Sequence, residues 1–245
     1  MLNKIILKEI EEIARNAGKE ALKIYNKDFS VEYKEDKSPL TEADKVANFV
    51  ICEALKKYSL PMMSEENKMI DYEERKSWEW FWCIDPIDGT KEFVKKNGEW
   101  TINIALICKD TPILGVVYAP VIGVMYSAKK GEGAYKNGEK IPFRRKDKVY
   151  RIVASKSHMN EETQKFIEAI ESEKELVSMG SSLKLCMVAS NEADCYPRFA
   201  PTKEWDTAAA DAIVREAGKM TYQAFSKKPL VYNKQDLLNP YFIVE

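Results

Sequence analysis

The run Trp80-Phe81-Trp82-Cys83-Ile84-Asp85-Pro86-Ile87-Asp88-Gly89-Thr90 changes character halfway. Its first five residues are aromatic or apolar without alternation, which predicts a short strand buried on both faces. Its last six place two carboxylates around Pro86 and ahead of Gly89, which predicts a turn where the strand leaves its sheet. Function concentrates at such edges.

Outward from this run, TINIALI (101–107), ILGVVY (113–118) and GVMYSA (123–128) are further β-rich segments. They are separated by Gly, Pro or Asn, and Asn137-Gly138 is a hairpin signal. The charge-free stretch from Thr111 to Ala128 is broken by Pro112, Gly115, Pro120 and Gly123, so it reads as two strands and not as a membrane span. Upstream, Ile6, Ile10, Ile13, Ala17, Ala21 and Ile24 recur at helical spacing, which marks an amphipathic opening helix. A second helix follows Thr41, with Asp44 as the acid of a capping-type pair in its first turn. Downstream, a strand at RIVAS (151–155) precedes predicted helices after Asn160, near Leu183 to Ser190, and from Asp206 to Ala217. These elements predict an N-terminal α+β part over 1–145 with a largely antiparallel sheet and the metal site. The later elements predict an α/β part over 146–245. The basic run Arg144, Arg145, Lys146 marks the junction, although a solvated loop has the same composition.

With 38 basic and 39 acidic residues in 245, the chain has no global attraction for a nucleic-acid polymer or an anionic membrane. An anionic ligand must be captured locally. Five cysteines without a C-x-x-C pair argue against a disulfide framework or thiolate zinc site, and scattered thiols fit a cytoplasmic protein. The N-terminus mixes charges throughout and lacks a signal-peptide pattern.

Asp85 and Asp88 can converge on hard cations, with the Ile87 carbonyl as a further oxygen ligand. Gly89 and Thr90 open a predicted short helix whose free amides suit a phosphate. D-P-x-D-G is equally good turn chemistry, and Asp44, Glu65 and Asp206 taken singly read as surface or capping acids. Gly180-Ser181-Ser182 before a helix containing Lys184 reads either as a capped surface helix or as a phosphate site. Arg198 is a candidate phosphate contact, and His158, the sole histidine, taken singly reads as structural. The tryptophans near position 80 read as sheet core, and Cys83 as a buried thiol.

Ser64-Glu65-Glu66, Asp85-Pro86-Ile87-Asp88-Gly89-Thr90 and Trp205-Asp206, in that order, resemble the signatures of the inositol monophosphatase superfamily. The strings SPLTEAD, GSSLKLCMVA and ADCYPRFAPTKEWDTAAADA are similar to its bacterial 3'(2'),5'-bisphosphate nucleotidase branch. The resemblance implies a layered α-β-α-β sandwich. It also implies a metal set of Glu65, Asp85, Ile87, Asp88 and Asp206 holding two or three Mg²⁺ ions. Asp44 and Thr90 would assist the attacking water. Gly89, Thr90, His158, Ser181, Ser182, Lys184, Arg198 and Asp206 would contact the substrate. The implied reaction converts adenosine 3',5'-bisphosphate to AMP and phosphate, with lithium inhibition as a family trait and a homodimer as a frequent assembly. Inositol phosphate, fructose 1,6-bisphosphate and a phosphosulfate nucleotide are alternative substrates. A non-catalytic nucleotide or metal sensor is the rival from another class, and the intact acidic set weighs against it.

Overall fold

The computed structural model describes residues 2–33, 39–154 and 159–245. The opening helix α1 (Leu7–Tyr25) buries Ile10, Ile13, Ala14, Ala17 and Ala21, the stripe its spacing predicts. After the short paired strands β1 (Val31–Tyr33) and β2 (Pro39–Thr41) comes α2 (Glu42–Leu55). Asp44 Oδ2 accepts the Thr41 N–H at 2.7 Å, and the Thr41 hydroxyl accepts the Ala43 N–H at 3.2 Å. The expected cap is therefore built with the shorter acid.

The next elements are β3 (Met62–Ser64), α3 (Tyr72–Arg75), β4 (Trp80–Asp88) and α4 (Thr90–Val94). Then come β5 (Thr101–Cys108), β6 (Thr111–Ala119), β7 (Val124–Lys129), β8 (Gly133–Lys136) and β9 (Glu139–Ile141). Among the described residues, β3 to β9 form a seven-stranded sheet in sequence order, antiparallel except for the parallel pair β3 and β4. Alternation of side chains explains why apolar runs were needed. Trp82, Ile84, Ile102, Ile104 and Leu106 pack against α1 and α2, whereas Phe81, Cys83, Ala105 and Ile107 face the opposite layer.

That opposite layer is formed by the last third of the chain: β10 (Tyr150–Ala154), α5 (Glu161–Glu168), β11 (Lys174–Ser178), α6 (Leu183–Ala189), β12 (Tyr196–Arg198), α7 (Glu204–Glu216), β13 (Thr221–Gln223) and β14 (Phe242–Val244). Parallel β10 and β11 and the antiparallel order β12-β14-β13 lie beyond α6 and α7, joined by an Ile152–Cys195 bridge. Helices, sheet, helices and sheet thus alternate as layers, and one core cluster runs from Met63 to Val244. Arg145 in the predicted junction is half-buried, donating to the Asn191 and Val149 carbonyls and pairing with Asp194 at 2.6 Å.

The alanine run of α7 lets it approach the sheet closely. A Cβ on Gly115 of β6 would lie 2.0 Å from the Ala209 carbonyl oxygen and 2.9 Å from the Ala212 Cβ. Gly115→Ala should therefore force helix and sheet apart, destabilising the fold by roughly 1–3 kcal/mol. A thermal melt unchanged from the parent chain would show that the layer spacing is not set here.

Candidate active site

The structure corrects the expected turn at Asp85 to Asp88: both residues remain in β4. Asp85 pairs with Asn103 and Asp88 with Thr101, so three steps along β4 match two along β5. This is a bulge of one residue. An unbulged strand would send positions three apart to opposite faces; the extra residue turns both carboxylates toward α7. The Ile87 N–H donates to Asp85 Oδ1 at 3.1 Å, closing the bulge.

Glu65 follows β3 directly and is tied to β4 through its N–H to the Ile84 carbonyl at 3.2 Å. Asp206 occupies the first turn of α7 and accepts the Lys203 N–H at 2.8 Å. Carboxylate oxygens of Glu65, Asp85 and Asp206 lie within 4.8 Å of one another. They line a cavity of about 410 Å³ together with Ile87, Asp88, Gly89, Thr90, Lys184 and Arg198.

Burial, then the charges of Glu65, Asp88, Asp206 and Asp44, push the Asp85 carboxyl well above its usual range. Burial, Asp88 and Glu65 push Asp206 up to about 8. Burial raises Asp88 as well, opposed first by Lys184 and then by bonds from Ser182 and Asn103. Such a cluster must hold protons or cations near neutral pH. Its donor set is all oxygen, which fits a hard divalent cation. Cys83 beside it is buried, and its thiol is pushed well up by desolvation, so it does not compete as a thiolate ligand.

Asp44 and Thr90 are brought together as expected. The Thr90 hydroxyl is 3.3 Å from Asp44 Oδ1 and 3.2 Å from the Ile87 carbonyl, either of which it can donate to. The second Asp44 oxygen is held by the Thr41 N–H and O–H, both at 2.7 Å.

Ser181 and Ser182 serve the architecture of the site as well as its lining. Gly89 has φ +88°, and a Cβ there would lie 2.2 Å from Ser181 Oγ; glycine is required on both counts. Ser181 Oγ lies 2.5 Å from the Glu99 carbonyl and 2.9 Å from that of Asp88. The Ser182 N–H donates to Asp88 Oδ2 at 2.5 Å, and its hydroxyl meets Thr101 Oγ1 and Asn103 Oδ1, both at 2.9 Å. Thr101 and Asn103 were missed in the sequence. Their signal was two polar residues at alternating positions of an otherwise apolar strand, on the face that carries Asp88.

Lys184 is 5% exposed, donates to the Ser181 carbonyl at 2.7 Å and lies 5.5 Å from the Tyr196 ring centre. Burial lowers its pKa to about 8, against the pull of Asp88. Arg198 lines the same cavity and donates to the Pro201 carbonyl at 3.1 Å. His158 lies outside the described residues.

Fold and site together define a cavity between two sheet-and-helix layers with a carboxylate cluster at the seam. The sequence profile of the Inositol monophosphatase family matches residues 3–241, and the chain belongs to that family, whose enzymes are metal-dependent. The chain is 43% identical to the 3'(2'),5'-bisphosphate nucleotidase CysQ of Escherichia coli strain K12 over 249 residues, covering 98% of this chain and 99% of that protein. It is 44% identical to the protein of the same description from Buchnera aphidicola subsp. Acyrthosiphon pisum over 222 residues, 87% of this chain and 82% of that one. A crystal structure of CysQ from Bacteroides thetaiotaomicron, described as a bacterial member of the inositol monophosphatase family, superposes with a TM-score of 0.90. It shares 44% identity over 98% of this chain and 96% of that one. The expected family and layered fold are borne out.

Because buried like charges oppose one another, Asp85→Asn should raise the melting temperature of chelator-treated protein and abolish the further rise on adding Mg²⁺. Differential scanning fluorimetry with and without chelator reads both effects. A lower melting temperature in chelator would mean that Asp85 is held by compensating contacts and not opposed by its neighbours.

Proposed function

We propose that this chain removes the 3'-phosphate of a nucleoside 3',5'-bisphosphate, with adenosine 3',5'-bisphosphate as substrate and two or three Mg²⁺ ions as cofactors. The observation that carries the reading is the convergence of Glu65, Asp85 and Asp206 in one cavity with the Asp44–Thr90 pair and buried Lys184. Glu65, Asp85, Asp88, Asp206 and the Ile87 carbonyl would hold the cations. When bound, the cations supply nucleophile activation and neutralise charge on the phosphate and leaving oxygen.

The chain's own groups account for the remaining steps. Thr90 Oγ1, donating to Asp44 Oδ1, would accept a hydrogen bond from the attacking water. Asp44, fixed at its other oxygen by Thr41, sets that orientation. The first-turn amides after Gly89 would receive the scissile phosphate. Lys184 and Arg198, both lining the cavity, would supply positive charge for a second phosphate, which would give a bisphosphate an advantage over a monoester. The 3'(2'),5'-bisphosphate nucleotidase CysQ of Escherichia coli strain K12, which aligns over 98% of the chain, supports that choice.

Phosphate release from adenosine 3',5'-bisphosphate, inositol 1-phosphate and fructose 1,6-bisphosphate, each with Mg²⁺ and with chelator, tests the reading. The nucleotide should be preferred and chelator should stop turnover. Preference for either sugar phosphate overturns the substrate, and no turnover on any of the three returns the chain to a sensor role. Asp88→Asn should lower turnover by more than about 100-fold while the protein stays folded by circular dichroism; full activity would remove Asp88 from the cation set.

A further inference from the structure

The segment from Asn233 to Asn239 has no regular secondary structure, yet it wraps the N-terminus of α7 and reaches α3 on its other side. On the α7 side, Glu204 is fully buried. Its carboxylate accepts the Asn233 N–H at 2.6 Å, the Lys234 N–H at 3.0 Å and the Lys234 ammonium at 2.6 Å. The Glu204 N–H donates to the Leu237 carbonyl at 3.0 Å. Asn239, 4% exposed, donates from Nδ2 to the Lys203 carbonyl at 2.8 Å and to Thr207 Oγ1 at 3.0 Å.

On the α3 side, Arg75 is 2% exposed. It donates to Asn233 Oδ1 and to the Gln235 carbonyl, both at 2.9 Å, and to the Ile70 carbonyl at 3.3 Å. The Asn233 side-chain amide returns a bond to the Arg75 carbonyl at 2.7 Å. One asparagine thus bonds both ways to Arg75 through its side chain and to Glu204 through its backbone.

The two ends of this chain of bonds adjoin the segments that carry two cluster acids. Arg75 bonds the Ile70 carbonyl in the connection that follows Glu65. Glu204 and Asn239 fix the turn of α7 that carries Asp206. Glu65 and Asp206 come from strands and helices of different layers, and their charges oppose each other. A stiff tie outside the cluster is the means to hold them together, and it must resist that repulsion through neutral or paired groups.

We propose that Arg75, Asn233 and Glu204 form a brace that positions Glu65 against Asp206, so that cation affinity, and not only fold stability, depends on a residue that touches neither cation nor substrate. Asn233 is the positioning residue at its centre. The inference rests on the cation site proposed above.

The test is Mn²⁺ binding by isothermal titration calorimetry on the full chain, with melting temperature and Mg²⁺-dependent kinetics beside it. Asn233→Ala removes both side-chain bonds to Arg75, leaving only the Arg75–Gln235 bond between α3 and this segment, and keeps the backbone bond to Glu204. It should weaken Mn²⁺ binding about tenfold and raise the Mg²⁺ concentration for half-maximal turnover in step, with kcat at saturating Mg²⁺ much less affected. Glu204→Gln keeps an acceptor for one of the two backbone N–H groups, which bond different Glu204 oxygens, and should lose less than Glu204→Ala. Asp206→Asn, which removes a cluster acid, should lose far more affinity than any brace variant. A folded Asn233→Ala that melts lower but binds Mn²⁺ like the parent overturns the brace while leaving the cation site standing. A parent chain that binds no Mn²⁺ removes both.

Discussion

Gathering carboxylates from four distant segments into one buried place is the constraint to which the rest of the structure answers. Two like charges 4 Å apart oppose each other by about 4 kcal/mol at an effective dielectric near 20, and burial adds a desolvation cost to each. A fold of ordinary marginal stability holds such a group only with stiff surroundings. Here the stiffness comes from a sheet covered on both faces and from α7 packed against it so closely that Gly115 has no room for a side chain.

The same local device recurs at the four aspartates. Asp44 takes the Thr41 N–H, Asp85 the Ile87 N–H, Asp88 the Ser182 N–H and Asp206 the Lys203 N–H. A backbone donor on one oxygen fixes the carboxylate plane and lowers the cost of its charge. For Asp44 and Asp206 the geometry is identical in kind: an acid at the third position of a helix accepts the N–H of the residue before the helix. Capping and cation binding were rival readings of Asp206, but the cap bond takes Oδ2 and leaves the second oxygen to a cation, so the two are compatible.

Much of the fold was legible because its cause is local. Apolar runs bounded by Gly, Pro and Asn gave the strands, helical spacing gave α1, and Thr41 with Asp44 gave the start of α2. The bulge at Asp85 to Asp88 was not legible, because it exists only in the register between β4 and β5, and the sequence of β4 alone reads equally well as a turn. Ser181 and Ser182 were found as site residues, but their engagement of Asp88 and Glu99 depends on how α6 meets the sheet. The order of 233–239 was hidden for a related reason. Its bonds are between side chains and backbone far apart in sequence, and no periodicity records them.

α7 shows why these non-local contacts concentrate where they do. Ala208, Ala209 and Ala212 give it a flat face for the sheet, while Glu204, Thr207, Asp211 and Arg215 recur at helical spacing on an adjoining face. That polar face is buried too: the Tyr232 hydroxyl reaches Thr207 and Asp211, and Arg215 pairs with Asp211 and donates to the Leu230 carbonyl. A small apolar face sets distance but allows sliding, because alanines interlock weakly. A hydrogen-bonded face permits only the placements that satisfy its donors and acceptors. Distance from one face and register from the other together locate Asp206, the acid that must cross from one layer to complete a cluster begun in the other.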